Sequence, residues 1–149
     1  MTGNPVYKII KKVDLPHTQI ELRNDGIIQF YYGDYVFYNM EKSQEVENIV
    51  AELTREETCL SLRIAGKQTS MALSVMKYLS RGRGCLFTLA DAFVIKSFVQ
   101  RILAKIYIIF NKPYVPTRFF SNVNEAESWL KSLNKVELKK IHKLKLQNV

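Results

Sequence analysis

The chain predicts an α/β domain with a mixed β-sheet and helices packed mainly on one face. Three observations support that class. Short β-prone runs alternate with helical periodicity along most of the 149 residues. Residues 19–23 and 27–32 are extended runs flanking Asn24-Asp25-Gly26, which is hairpin chemistry. Residues 85–90 are almost wholly apolar, as parallel strands covered on both faces are.

Each element follows in order. Residues 1–17 read as an arm punctuated by Gly3, Pro5 and Pro16, with an edge strand over 6–10. After the hairpin, residues 35–38 are a third extended piece. At Asn39 the period changes. Asn39 can cap a helix whose Val46, Ile49, Val50 and Leu53 fall on one buried face, with Glu45, Glu47, Glu52 and Glu56 assigned to the solvent side. Residues 59–65 form a strand ended by Gly66. A second helix over 70–79 turns Met71, Val75, Met76 and Leu79 inward and stops at Arg81-Gly82-Arg83-Gly84. Strand 85–90 leads to Asp91, read as the N-cap of a long apolar helix over 94–110. A proline-bounded turn, a strand over 117–121 and a closing helix over 124–133, with Trp129 in the core, complete the domain. The organisation is therefore an arm (1–17), a domain (18–133) and a basic tail (134–149). The tail holds five lysines and one glutamate, and Leu138, Ile141 and Leu144 keep a helical step.

The net charge is +8, unevenly spread: residues 1–57 carry six basic and ten acidic side chains, residues 58–118 ten and one. Such asymmetry favours an acidic partner. Cys59 and Cys85 have neither a CxxC spacing nor a histidine cluster, so they read as reduced core thiols. No secretory leader is visible. Lys96, Gln100, Arg101 and Lys105 interrupt the longest apolar run, so a cytoplasmic, non-membrane location is expected. Catalytic signatures are missing: no GxSxG, no phosphate loop, no HExxH. His17 and His142 lie in the arm and the tail, and carboxylates are scarce after residue 57. No catalytic residue, metal or cofactor is expected.

The run Phe110-Asn111-Lys112-Pro113-Tyr114-Val115-Pro116-Thr117-Arg118-Phe119-Phe120-Ser121, followed by Glu125-Ala126 and Trp129-Leu130, resembles the C-terminal signature of small bacterial STAS/SpoIIAA-like proteins of unassigned function. Weaker likeness extends over residues 19–133. The resemblance implies a mixed sheet of four or five strands packed on helices, often dimeric, without a cofactor. In STAS regulators a phosphorylated Ser or Thr sits in the loop after the central strand, within a pattern like Asp-Ser-Ser-Gly. Here that loop reads Gly66-Lys67-Gln68-Thr69-Ser70-Met71, lacking the Asp and the Gly. Lys67, Gln68, Thr69 and Ser70 are the candidate switch or ligand loop, with Thr69 or Ser70 also read as the N-cap of helix 70–79.

The long helix is apolar around most of its circumference. Its surplus marks Phe98, Ile102, Ile106 and Tyr107 as the candidate interface or apolar ligand face. The leading expectation is a non-enzymatic regulatory module that works by protein–protein contact, as a homodimer. An alternative is an apolar ligand in a cleft like that of the CRAL-TRIO domains. That cleft would be lined by Phe93, Phe98, Ile102 and Ile106, with Arg81, Arg83 and Lys112 nearby. An anionic surface or nucleic acid bound through the lysine tail is the least favoured.

Overall fold

The structure is a computed structural model that describes residues 6–147. Its elements are β1 (Ile9–Asp14), β2 (Thr18–Arg23), β3 (Ile27–Tyr32), β4 (Phe37–Tyr38), α1 (Met40–Thr54), β5 (Cys59–Ile64) and β6 (Ser70–Met71). They continue with α2 (Leu73–Arg81), β7 (Thr88–Val94), α3 (Phe98–Asn111), β8 (Thr117–Phe120), α4 (Val123–Ser132) and α5 (Lys135–Leu146). The main sheet has six strands in the order β1-β2-β3-β5-β7-β8, and β4 pairs with β6 in a small parallel sheet. The hairpin half, β1-β2-β3, is antiparallel; β5, β7 and β8 add in parallel. The α/β class and mixed sheet are those the sequence predicts.

Alternation along the strands decides what each face holds. Leu60 and Leu62 of β5 and Ala90, Ala92 and Val94 of β7 point to one face. There they bury Ala126 and Leu130 of α4 and Leu138 of α5. Fully buried alanines on both sides let α4 approach the sheet closely. The opposite face receives α1, whose Val46, Val50 and Leu53 pack on Ile20, Ile28 and Phe30. It also carries α2 and α3, so the helices divide three to two between the faces. A buried arginine, Arg23, ties the hairpin to α4: it donates to Asp25 at 2.6 Å and to Glu127 at 2.8 Å.

Several local readings hold. Asn39 Oδ1 accepts the Lys42 N–H at 2.9 Å and caps α1. Gly26 takes φ +81° in the hairpin turn, where a side chain would be strained. Others are corrected. The edge strand lies at Ile9–Asp14 rather than over 6–10, with a bulge between Ile9 and Lys11. Residues 1–5 of the expected arm lie outside the described residues. Ser70 and Met71 are extended, and Ala72 holds the N-cap position of α2 without a side-chain bond, so neither Thr69 nor Ser70 caps it. A 3-10 turn over Arg83–Cys85 delays the next strand to Thr88. Asp91 is consequently mid-strand and caps nothing. The long helix begins at Phe98, capped by Ser97, whose Oγ accepts the Gln100 N–H at 3.0 Å. Glu47 is buried, contrary to its assignment to the solvent side of α1.

The tail is helical. Lys135–Leu146 forms α5, with Leu138 and His142 buried. Replacing Leu138 by Ala should therefore lower stability by roughly 2–3 kcal/mol in urea unfolding. A loss near zero would mean that α5 does not pack on the core.

Candidate functional site

Register places four side chains in one row on the α1–α3 face. Phe30 of β3 opposes Arg63 of β5, Arg63 opposes Phe93 of β7, and Phe93 opposes Phe119 of β8. The Arg63 guanidinium lies over the Phe30 ring at 4.6 Å and near the Phe93 ring at 5.9 Å. It is almost completely buried, at 1% exposure. Its Nε donates to Asp91 Oδ1 at 2.7 Å, and its Nη1 donates to the Tyr32 hydroxyl at 2.8 Å. Glu47 reaches in from α1, its Oε1 3.8 Å from Nη1.

Electrostatics follow from burial. Desolvation works against the Arg63 charge, but Asp91, Tyr32 and Glu47 together hold its pKa well above the ordinary value. Burial pushes the Glu47 carboxyl up to about 7, against the pull of Arg63 and with a further push from Asp91. Burial likewise raises the Tyr32 phenol to about 12. Asp91 is therefore the close partner of the arginine, and Glu47 is the more distant second carboxyl.

Above this row lies a cavity of about 90 Å³. Its walls are apolar apart from a few groups, with Arg63 and Tyr32 among its polar lining. Tyr107 descends from α3, its ring centroid 6.4 Å from Phe93 and 6.2 Å from Phe119. Leu103 and Ala104 of α3 complete the roof, and Thr69, Ser70 and Met71 form part of the rim. Gln100 fastens α3 to that rim: its Nε2 donates to the carbonyls of Gly66 and Thr69 at 3.2 and 3.1 Å. Gly66 must lack a side chain, because a Cβ there would sit 2.5 Å from the Tyr32 carbonyl oxygen.

The predicted site residues separate into three groups. Thr69, Ser70 and Tyr107 meet at the cavity. The Thr69 hydroxyl donates to the Gly33 carbonyl at 2.7 Å. Lys67 and Gln68 face outward, the Lys67 N–H bound to Asp34 at 2.7 Å and Gln68 in the left-handed region at φ +50°. Phe98, Ile102 and Ile106 lie on the solvent side of α3. Of the expected cleft residues, Phe93 alone lines the cavity. Arg81 instead stacks on Tyr114 at 5.5 Å and donates to the Lys112 carbonyl. The sequence reading missed Arg63, Glu47 and Asp91 as a group. A signal existed: Ser43, Glu47, Val50 and Thr54 share one helical face, and Arg63 is a lone charge in an apolar strand.

Among the described residues, no cluster of His, Cys, Asp or Glu could hold a metal ion. No helix among them is long and apolar enough to cross a membrane.

This architecture, a six-stranded mixed sheet with a helix-roofed cavity on one face, defines a protein of SpoIIAA-like fold. An uncharacterized protein of the DUF3478 family from Shewanella loihica PV-4, described as having that fold, is similar at a TM-score of 0.53. The two share 15% identity over 87% of this chain and 98% of that one, a likeness of fold alone. The chain itself belongs to a family described as a domain of unknown function, DUF7793, whose model matches residues 20–134. No curated protein matches it.

The buried acid has a pH signature. Glu47 ionises near 4.5 when unfolded and near 7 when folded, so between these values the folded protein binds more protons. Its contribution to stability is thus full below about 4.5, declines as the pH rises towards about 7, and is flat above. Glu47→Gln should remove that decline and gain on the wild type by about 1–3 kcal/mol between pH 5 and pH 8 in urea unfolding. Identical pH slopes in both proteins would show that this carboxyl does not carry the effect.

Proposed function

We propose that this chain is a non-enzymatic, cytoplasmic regulatory module that works through protein–protein contact, as a homodimer joined by the outer face of α3. The observation that supports this reading is the pattern of that face. Only Ala104 and Tyr107 of α3 are buried, whereas Phe98 and Phe110 are 76% and 78% exposed. At 100° per residue, Phe98, Val99, Ile102, Ile106, Ile109 and Phe110 occupy about 120° of the helix on its solvent side, and Leu103 at the margin of that stripe also roofs the cavity. Most of the set is also palindromic. Reflected at the level of Ala104, Phe98 falls on Phe110, Val99 on Ile109 and Ile102 on Ile106. A two-fold axis there would bring each side chain against its counterpart in an antiparallel pair, as an isologous interface requires. Arg101 and Lys105 flank the stripe, so pairing does not bury them.

A regulatory role is further supported by the STAS-like run over residues 110–121, and a non-catalytic one by the commitment of Asp91 to Arg63. Light scattering should give twice 17.3 kDa for the wild type and 17.3 kDa for Ile102→Asp and Ile106→Asp, with unchanged far-ultraviolet circular dichroism. A monomeric wild type at high protein concentration rejects the dimer.

A second reading rests on the cavity. Its volume and apolar walls suit a small apolar molecule held between the Arg63 row and α3. Native mass spectrometry of protein taken from cells should show a co-purifying mass that denaturation removes. Repeated preparations without one count against this reading.

A further inference from the structure

We infer that the cavity beneath α3 selects an uncharged small molecule, an apolar body carrying one hydroxyl or carbonyl oxygen; this rests on the small-molecule reading above and names its ligand class. The selection follows from the charge already present. Arg63 is the one charged side chain lining the cavity among the described residues, and its Nε is held by Asp91 at 2.7 Å. That pair is neutral. Glu47, behind it at 3.8 Å, adds a negative charge whenever it ionises. Its Oε1 is buried without a hydrogen-bond partner, and the Arg63 that attracts it is already shared with Asp91.

The other titratable groups facing this carboxyl are Tyr32, Tyr78 and Cys85, and burial raises the pKa of each, which keeps them neutral. Tyr38 and Tyr107 at the cavity wall are raised by burial as well. An anionic head would therefore meet an arginine already neutralised and a second acid close by. A cationic head would have to sit against the guanidinium. Both would give up their water for apolar walls, and a buried charge without a dedicated partner is strongly disfavoured.

An oxygen acceptor, by contrast, has a donor waiting. The Tyr32 hydroxyl accepts from Arg63 at 2.8 Å and lines the cavity, which leaves its own proton to donate. Size sets a second limit. A cavity of about 150 Å³ holds benzene, so the 90 Å³ here takes a body of a few carbons unless α3 shifts outward.

The test is a set of same-length probes, 1-butanol, butyrate and butylammonium, titrated at pH 8 into the full chain and followed by amide chemical shifts of Ser70, Leu103 and Tyr107. Butanol should produce saturable shifts, with both ions at least about tenfold weaker. Ala104→Phe, which fills the cavity from its roof, should abolish the butanol effect. Glu47→Gln should strengthen butyrate severalfold and leave butanol unchanged. An ion that binds as tightly as butanol and is lost in Ala104→Phe overturns the charge selection while the cavity reading survives. Butyrate affinity unaltered by Glu47→Gln overturns it too. Absence of saturable shifts from all three probes, or butanol shifts that persist in Ala104→Phe, removes the cavity reading itself.

Discussion

The fold is organised around one desolvated arginine. Arg63 brings a full positive charge into the sheet face, a burial that costs several kcal/mol unless every contact is in place. Three elements supply those contacts. β3 gives the Phe30 ring and the Tyr32 hydroxyl, β7 gives Asp91 and Phe93, and α1 gives Glu47. A one-residue slip of β3 or β7 would turn its contributions to the opposite face and leave the guanidinium unpaired. The arginine therefore penalises every register but one, which is a specificity device more than a source of stability.

The two sheet faces consequently do different work. Beneath α4 and α5 the contacts are small and dry: Ala90, Ala92 and Ala126 are fully buried, and Leu130 fills the remaining space. On the other face, the aromatic row with its arginine is too uneven for a helix to lie flat on. α3 spans it on two buried side chains, Ala104 and Tyr107, and on the Gln100 tether. The space left underneath is the cavity, and the unused part of the helix is the exposed apolar stripe. Both features have the same origin in a helix held above its sheet.

How much of this was legible in the chain depends on range. Local chemistry was readable: the Asp25-Gly26 turn, the Asn39 cap, the Gly66 stop and the apolar strands all act within a few residues. The boundaries that failed were decided by tertiary partners. Val94 and Ile95 fit a helical apolar run, but β7 pairs with β5 through Val94 and the Ile95 N–H bonds the Phe120 carbonyl, so the strand extends past Asp91. Ser70 looked like a helix start until β6 found β4 more than thirty residues away. The helical step of Leu138, Ile141 and Leu144 in the tail was visible, but its docking was not, because the core that Leu138 covers comes from strands remote in sequence. Glu47 was assigned outward by composition, since its partner Arg63 lies on another element.

The borders of the main sheet carry a consequence for assembly. β1 is broken by its bulge and carries Lys11 and Lys12, while β8 has four residues, follows Pro116 and holds Arg118. Short, charged or irregular borders discourage strand-by-strand stacking of one molecule on the next. A greasy surface on a protein with such borders is steered away from open-ended fibres. In the pairing proposed above, the α3 stripe, most of which is symmetric about Ala104, is used up by a single copy of the chain, and growth ends there.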